Sequence, residues 1–200
     1  MARSVPPSTA RPPIRDATPE DAAAIAGIYN DAVATTVATF DTEPRSLDAQ
    51  RAWLRDHTPP WVVRVVESEG RVIGWASLGP WSERRAYAAT AEVSVYVATD
   101  RRAQGWGGAL LSDLLAAGDA AGFHAYLARV ADGNEASLRL HRRRGFVPIG
   151  VMREVGWKFD RWIDVHLLER VTPRRPAPGS ANDPSPRAPV NRSARRKSSG

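Results

Sequence analysis

A mixed α/β sheet of about six to seven strands flanked by helices is the fold class this sequence predicts, and three observations carry it. Two β-rich runs, 61–67 and 71–78, are joined by Ser68-Glu69-Gly70, a hairpin signal. Beyond them the pattern changes from meander strands to strand–helix–strand–helix–strand. Between the two halves lies 90–111, where a β-rich run holding a single carboxylate, Glu92, enters an Arg/Gln/Gly turn that opens a Leu-striped helix. A chain of 200 residues suits one domain.

The elements follow in order. Residues 14–17 read as a short first strand. Thr18-Pro19-Glu20-Asp21 then starts a helix, with Thr as N-cap, proline at the first helical position and acids in the first turn. That helix runs to about Val33 through Ile25, Ile28, Tyr29 and Ala32. Ser46 begins a second helix, through Leu47, Trp53 and Leu54, which ends before Pro59-Pro60. After the hairpin, 87–99 is the next strand, and the helix from 105 to about 121 puts Leu110, Leu111, Leu114 and Leu115 on one face. Residues 124–130 form a strand and 134–144 a helix, with Gly145 placed as its C′ residue. Strands 146–155 and 162–169 close the domain, and there is no internal repeat.

Charge separates the domain from its flanks. The net charge of +6 invites a nucleic-acid reading. However, residues 171–200 hold seven basic residues against Asp183, and 1–12 add Arg3 and Arg11. The remaining 13–170 keep 19 basic and 21 acidic residues, a net of −2. Both flanks are expected to be disordered, because six prolines and almost nothing to bury leave 171–200 unable to offset its ordering entropy. Contact of that basic tail with RNA or another acidic partner is the lesser reading beside a solvated tail. No apolar run approaches the ~18 residues needed to cross a bilayer. Residues 1–13 hold four prolines and no apolar core of a secretory signal, so a cytoplasmic protein is expected. There are no cysteines, which excludes disulfides, thiolate metal sites and a cysteine nucleophile.

Chemistry concentrates in 90–111. The turn Arg102-Ala103-Gln104-Gly105-Trp106-Gly107-Gly108 places three glycines where backbone approaches a ligand, with a helix dipole behind them. A strand–Gly-turn–helix unit of this kind holds a pyrophosphate, or else uses glycine only for a tight connection. In the preceding strand Val93, Val95 and Val97 share one face, while Glu92, Ser94 and Tyr96 share the other. A carboxylate in so apolar a strand is costly to bury unless it is hydrogen-bonded or functional. A carboxylate at that place can also act as a general base toward a bound substrate.

Arg102-x-x-Gly105-x-Gly107 resembles the acetyl-CoA loop of the GCN5-related N-acetyltransferases. Asn134-Glu-Ala-Ser137-Leu-Arg-Leu-His141-Arg-Arg-Arg-Gly145-Phe146 is similar to that family's Asn-opened helix ending in Gly-Phe. The resemblance implies a sheet splayed by a bulge in the glutamate strand to admit acetyl-CoA. The carrier would run along Tyr96, Val97 and Ala98, set its pyrophosphate on Arg102 to Ala109, and touch Asn134. Glu92 would be the general base, and His141, standing where relatives often have Tyr, a candidate proton donor to the departing thiolate or a simple cofactor contact. No metal is implied, and direct transfer agrees with a chain that has no cysteine to carry an acetyl group.

Gly79-Pro80-Trp81-Ser-Glu-Arg84-Arg85, Phe40-Asp-Thr-Glu43-Pro44 and Gly156-Trp157-Lys158-Phe-Asp-Arg161-Trp162-Ile163-Asp164 further resemble the phosphinothricin, methionine sulfoximine and methionine sulfone acetyltransferases. This implies an amino-acid pocket formed with Phe40, Val93, Ser94, Val95 and Trp162, with Arg84 and Arg85 near the substrate's anionic end. It also implies a homodimer and a part in antibiotic or herbicide resistance. Ile163 stands where some phosphinothricin enzymes have His, which brings the segment closer to the methionine sulfone type. Acylation of a protein N-terminus or an aminoglycoside, and a non-catalytic acyl-CoA-binding module, are the alternatives.

Overall fold

The computed structural model describes residues 13–173. The order is β1 (Ile14–Asp16), α1 (Ala22–Thr35), α2 (Leu47–Asp56), β2 (Val63–Ser68), β3 (Arg71–Pro80), β4 (Thr90–Val97), α3 (Trp106–Ala121), β5 (Ala125–Ala131), α4 (Glu135–Arg142), β6 (Val147–Lys158) and β7 (Arg161–Val171). One seven-stranded sheet runs β1-β2-β3-β4-β5-β7-β6, parallel only between β4 and β5. The flanks expected to be disordered, 1–12 and all but three residues of 171–200, lie outside the described residues. Val171 still belongs to β7, and the Thr172 N–H donates to the His124 carbonyl at 2.9 Å, so order extends past 170. Among the described residues no helix is long and apolar enough to cross a membrane.

Helices cover both faces of the sheet. Ile25, Tyr29 and Val33 of α1 pack on Val63, Val65, Val72 and Trp75, while the leucine stripe of α3 packs with Ile73, Leu78, Val93, Phe123, Tyr126 and Leu168. Leu110, Leu111 and Leu114 are fully buried, each worth about 1.5–3 kcal/mol. Helix α1 begins later than its sequence signals, because Pro19–Asp21 forms a single 3-10 turn first. The Asp21 carboxylate accepts from the Thr18 N–H at 2.8 Å and from Arg15 at 2.7 and 3.0 Å, which fixes that entry. Helix α4 ends at Arg142 with Arg143 as its cap, so Gly145 (φ +82°) lies one residue beyond the expected C′ position.

Close packing of α3 on the sheet depends on Gly118. A Cβ there would lie 2.6 Å from the Tyr126 hydroxyl and 2.9 Å from Leu78 Cδ1. Gly118→Ala is expected to destabilise the fold by about 1–3 kcal/mol through overpacking, despite alanine's better helix propensity. Urea denaturation checks it, and equal midpoints would show that the interface gives way freely.

The feature that positions the site is the parting of β4 from β5. β4 follows β3 in unbroken antiparallel register from Gly74↔Val97 to Pro80↔Ala91. It pairs with β5 only at Thr90↔Ala125, Ala91↔Tyr126 and Glu92↔Leu127. Beyond Glu92, β4 stays with β3 while β5 continues with β7 to Ala131↔Val165. The two ladders diverge, and the sheet opens. No register shift occurs in β4, which corrects the expectation that a bulge there splays the sheet; the shifts lie at Val66/Glu67, Pro148/Gly150 and Met152/Gly156.

Candidate active site

A cavity of about 610 Å³ fills the opening. β4 contributes Glu92, Val93, Ser94, Val95 and Tyr96, and the end of β5 contributes Arg129, Val130 and Ala131. Asn134, Ser137 and His141 line it from the next helix, and Val37, Ala38, Thr39, Phe40 and Asp41 close it from the loop between α1 and α2. Of the residues expected at the site, the structure brings Phe40, Glu92, Val93, Ser94, Val95, Tyr96, Asn134 and His141 together on this wall.

Three side chains from separate elements fix the loop at 37–41. The Tyr29 hydroxyl donates to Asp41 Oδ2 at 2.6 Å and pairs with Thr39 Oγ1 at 2.8 Å. The Tyr96 hydroxyl donates to the Ala38 carbonyl at 3.3 Å, and Lys158 Nζ donates to the Thr39 carbonyl at 2.9 Å. Burial pushes both tyrosine hydroxyls up, which keeps them protonated donors, and it pushes Lys158 down. Tyr96, expected to touch the acyl carrier, therefore also anchors the loop. The Phe40 ring fills the space above Gly156, where a Cβ would lie 2.0 Å from Phe40 Cε2.

Glu92 sits at the point of parting, and its carboxylate is held in bidentate fashion by Arg129. Nε lies 2.6 Å from Oε1 and Nη2 lies 2.5 Å from Oε2. The pairing raises the Arg129 pKa, keeping the guanidinium charged. Its Cζ stands 5.5 Å from the centre of the Trp81 ring. Sequence reading missed Arg129, although the signal that singled out Glu92 was present: a charge inside the apolar run 124–130.

His141 is 5% exposed. Its Nδ1 lies 2.9 Å from the Ser137 carbonyl, which only accepts, so Nδ1 carries the proton. Burial holds its pKa below 6.5, so the ring is neutral near pH 7 and Nε2 offers a lone pair without a protein partner. In that tautomer Nε2 carries no proton and His141 lines the cavity wall as a neutral acceptor. The unfolded chain takes up a proton below about pH 6.5 while folded His141 does not, so stability is lost as pH falls from 6.5 towards the folded value. Melting temperature should fall over that window and fall less in His141→Gln; parallel curves would contradict the assignment.

The Gly turn lies beyond the far end of β4. Gly105 (φ +88°) caps α3, and the Ala109 N–H to Gly105 carbonyl bond (3.1 Å) is the first of the helix. The N–H groups of Trp106, Gly107 and Gly108 precede that bond and point out of the helix end, as an anion requires. The three glycines differ in role. Gly108 makes room for Arg144, whose Nη2 would lie 2.6 Å from a Cβ there and whose Nε donates to the Gly108 carbonyl at 3.1 Å. At Gly107 a Cβ would meet only ordinary contacts at 3.6 and 3.7 Å, so the protein's own packing does not require that glycine. Arg102 turns back, its Nε donating to the Val97 carbonyl at 3.2 Å, and Gln104 accepts from Trp106 Nε1 at 3.3 Å. The Ala98 N–H is taken by the Ile73 carbonyl at 2.9 Å, so Ala98 offers no amide donor to a ligand. Asn134 caps α4, its Oδ1 accepting from the Ser137 N–H at 3.2 Å.

Arg84, Arg85 and Trp162 do not line the cavity. Both arginines are exposed beside a 3-10 turn at Arg85–Tyr87. Trp162 is 59% exposed and packs edge-on against Trp157 at 5.1 Å. The sheet edge, not the cavity, holds it. Ala103 likewise stays in the exposed turn with φ +60°.

A sheet opened beside a carboxylate strand, ending in a turn that presents free amides at a helix start, defines an acyl-CoA-dependent N-acyltransferase fold. The chain belongs to the Acetyltransferase (GNAT) family, whose model matches residues 25–146. It is an acetyl-CoA-dependent N-acetyltransferase. It is 40% identical over 168 residues to an L-methionine sulfoximine/L-methionine sulfone acetyltransferase of Pseudomonas aeruginosa, covering 82% of this chain and 98% of that protein. It is 39% identical over 168 residues to a phosphinothricin N-acetyltransferase of Streptomyces coelicolor, covering 82% and 98%. The crystal structure of a phosphinothricin acetyltransferase from Sinorhizobium meliloti in complex with acetyl-CoA superposes with a TM-score of 0.81 at 32% identity, over 87% of this chain and 97% of that one. Among the described residues no group of three or more His, Cys, Asp or Glu side chains is arranged to hold a metal ion.

Proposed function

We propose that this chain transfers the acetyl group of acetyl-CoA directly to the amino group of a small amino-acid-like substrate of the phosphinothricin, methionine sulfoximine or methionine sulfone type, with Glu92 as general base. The observation that carries this reading is the place of Glu92: the one carboxylate of β4 stands where the sheet opens, on a strand that leads to the amide-rich turn. The substrate ammonium gives a proton to Glu92, directly or through a water, and the neutral amine attacks the thioester carbon. The new C–N bond forms, the C–S bond breaks, and the thiolate leaves with the electron pair. The nitrogen loses two protons in becoming an amide, one to Glu92 before attack and one as the tetrahedral adduct collapses; one of the two ends on the departing thiolate as CoA–SH and the other passes to solvent. Ser94 and the backbone of Val93 and Val95 line the path, and Phe40 closes it from the loop.

The relatives' names, at about 40% identity over nearly their whole length, support the substrate class. Acetyl-CoA consumption measured across methionine sulfone, methionine sulfoximine, phosphinothricin, free amino acids and an aminoglycoside tests it. Fastest turnover with one of the first three is expected, and preference for the aminoglycoside would contradict it. A second copy of the chain is the expected partner. Val147, Ile149, Val151, Val155, Trp157 and Trp162 leave an exposed apolar strip along the β6 edge and β7, of the kind a homodimer covers. Light scattering at micromolar concentration should give twice the chain mass, and a monomer would contradict this.

A further inference from the structure

The bidentate pair between Glu92 and Arg129 raises a chemical question. Each oxygen of the proposed base already accepts one N–H from Arg129, so an amine that approaches Glu92 from that side meets a guanidinium. Stability does not explain the pair. The Arg129 side chain is 53% exposed and that of Glu92 20%, and partly exposed pairs contribute little to folding. Arg129 is also the only lysine or arginine among the described residues that line the cavity. Its guanidinium has five N–H donors, of which Glu92 uses two, and the Trp81 face steadies it without using any.

We propose that Arg129 is the α-carboxylate subsite, and that the Glu92–Arg129 pair stands in for a zwitterion that an α-amino acid replaces. The proposal rests on the substrate class proposed above and sharpens it. An α-amino acid carries its ammonium and carboxylate on one carbon, so it meets both members of an ion pair already in contact. Its carboxylate takes the guanidinium fork from Glu92 through two parallel N–H···O bonds. Its ammonium takes the place of the guanidinium on Glu92. One ion pair becomes two, and Glu92 is released to accept the amine proton as the correct substrate arrives. An amine without the carboxylate meets a base still held by Arg129. The geometry therefore selects free α-amino acids over their amides, esters and simple amines.

The test compares kcat/KM for L-methionine sulfone and its primary carboxamide in the wild type, Arg129→Met and Arg129→Lys. Two charge-assisted hydrogen bonds to the carboxylate, each worth at least about tenfold, predict a preference for the acid of about 100-fold in the wild type. In Arg129→Met that preference should collapse to near unity, mainly through KM for the acid, and Arg129→Lys should keep part of it. A merely structural role lowers both substrates alike and leaves the ratio unchanged, which would overturn the proposal. Equal use of acid and carboxamide by the wild type would overturn it too, while leaving the acetyltransferase reading in place. Acetylation of neither compound would reject the substrate class itself, and this inference with it.

Discussion

Glu92→Gln is expected to lower turnover at neutral pH by about 10²–10⁴-fold, while acetyl-CoA binds nearly as before. Glutamine keeps the size of glutamate and its position where β4 leaves β5, but its amide cannot take a proton from an ammonium group. The Gly turn at Arg102–Gly108, which we propose to hold the pyrophosphate, begins ten residues further along the chain, and the hydrogen bonds of the Glu92 carboxylate go to Arg129. The variant should also recover activity as pH rises through the substrate's own amine pKa, because solvent then supplies the neutral amine that the enzyme no longer generates. Steady-state kinetics from pH 6 to 10, with acetyl-CoA affinity measured by calorimetry, separate these effects. Unchanged turnover at neutral pH would remove Glu92 as the base.

Gly107→Asp is expected to weaken acetyl-CoA binding by at least about 100-fold and leave the melting temperature unchanged or slightly raised. Gly107 is the second residue of α3, among the free N–H groups, and a Cβ there meets only ordinary contacts with Leu140 and Val97. An aspartate at that position satisfies the helix dipole, worth about 0.3–1 kcal/mol to the fold. The same carboxylate occupies the anion site and repels a pyrophosphate. The two effects have opposite signs, so loss of binding cannot be ascribed to unfolding. Normal acetyl-CoA affinity in this variant would place the pyrophosphate elsewhere.

Several elements of this site are legible in the sequence because they are local. Alternation in 92–97 places Glu92, Ser94 and Tyr96 on one face and buries Val93 on the other, as the structure has them. Glycine spacing and the leucine stripe give the turn and α3. The rest depends on register between distant strands. Arg129 meets Glu92 because the parallel pair Glu92↔Leu127 brings β5 alongside β4, and nothing within either strand declares that register. Arg84 and Arg85 looked suited to an anionic substrate by residue type, but the turn at Arg85–Tyr87 leaves them outside the cavity. Gly108 shows the limit of glycine patterns, since its missing side chain also makes room for Arg144, a contact that the spacing of glycines does not declare. His141 shows the limit for titratable groups. Its type leaves both roles open, and the Ser137 carbonyl and the burial that favour a neutral ring protonated on Nδ1 come from the fold, not from the local sequence.

The central claim is direct transfer from acetyl-CoA to an amino acid in the opening between β4 and β5. A single-turnover experiment with isotopically labelled acetyl-CoA tests it most directly, with enzyme and small molecules separated and weighed by mass spectrometry. The account predicts that enzyme mixed with labelled acetyl-CoA alone stays unlabelled. On addition of L-methionine sulfone the label should appear on its nitrogen, one equivalent for each CoA released. An acetylated enzyme that accumulates before the amino acid is added, or CoA release without an N-acetylated product, would contradict it.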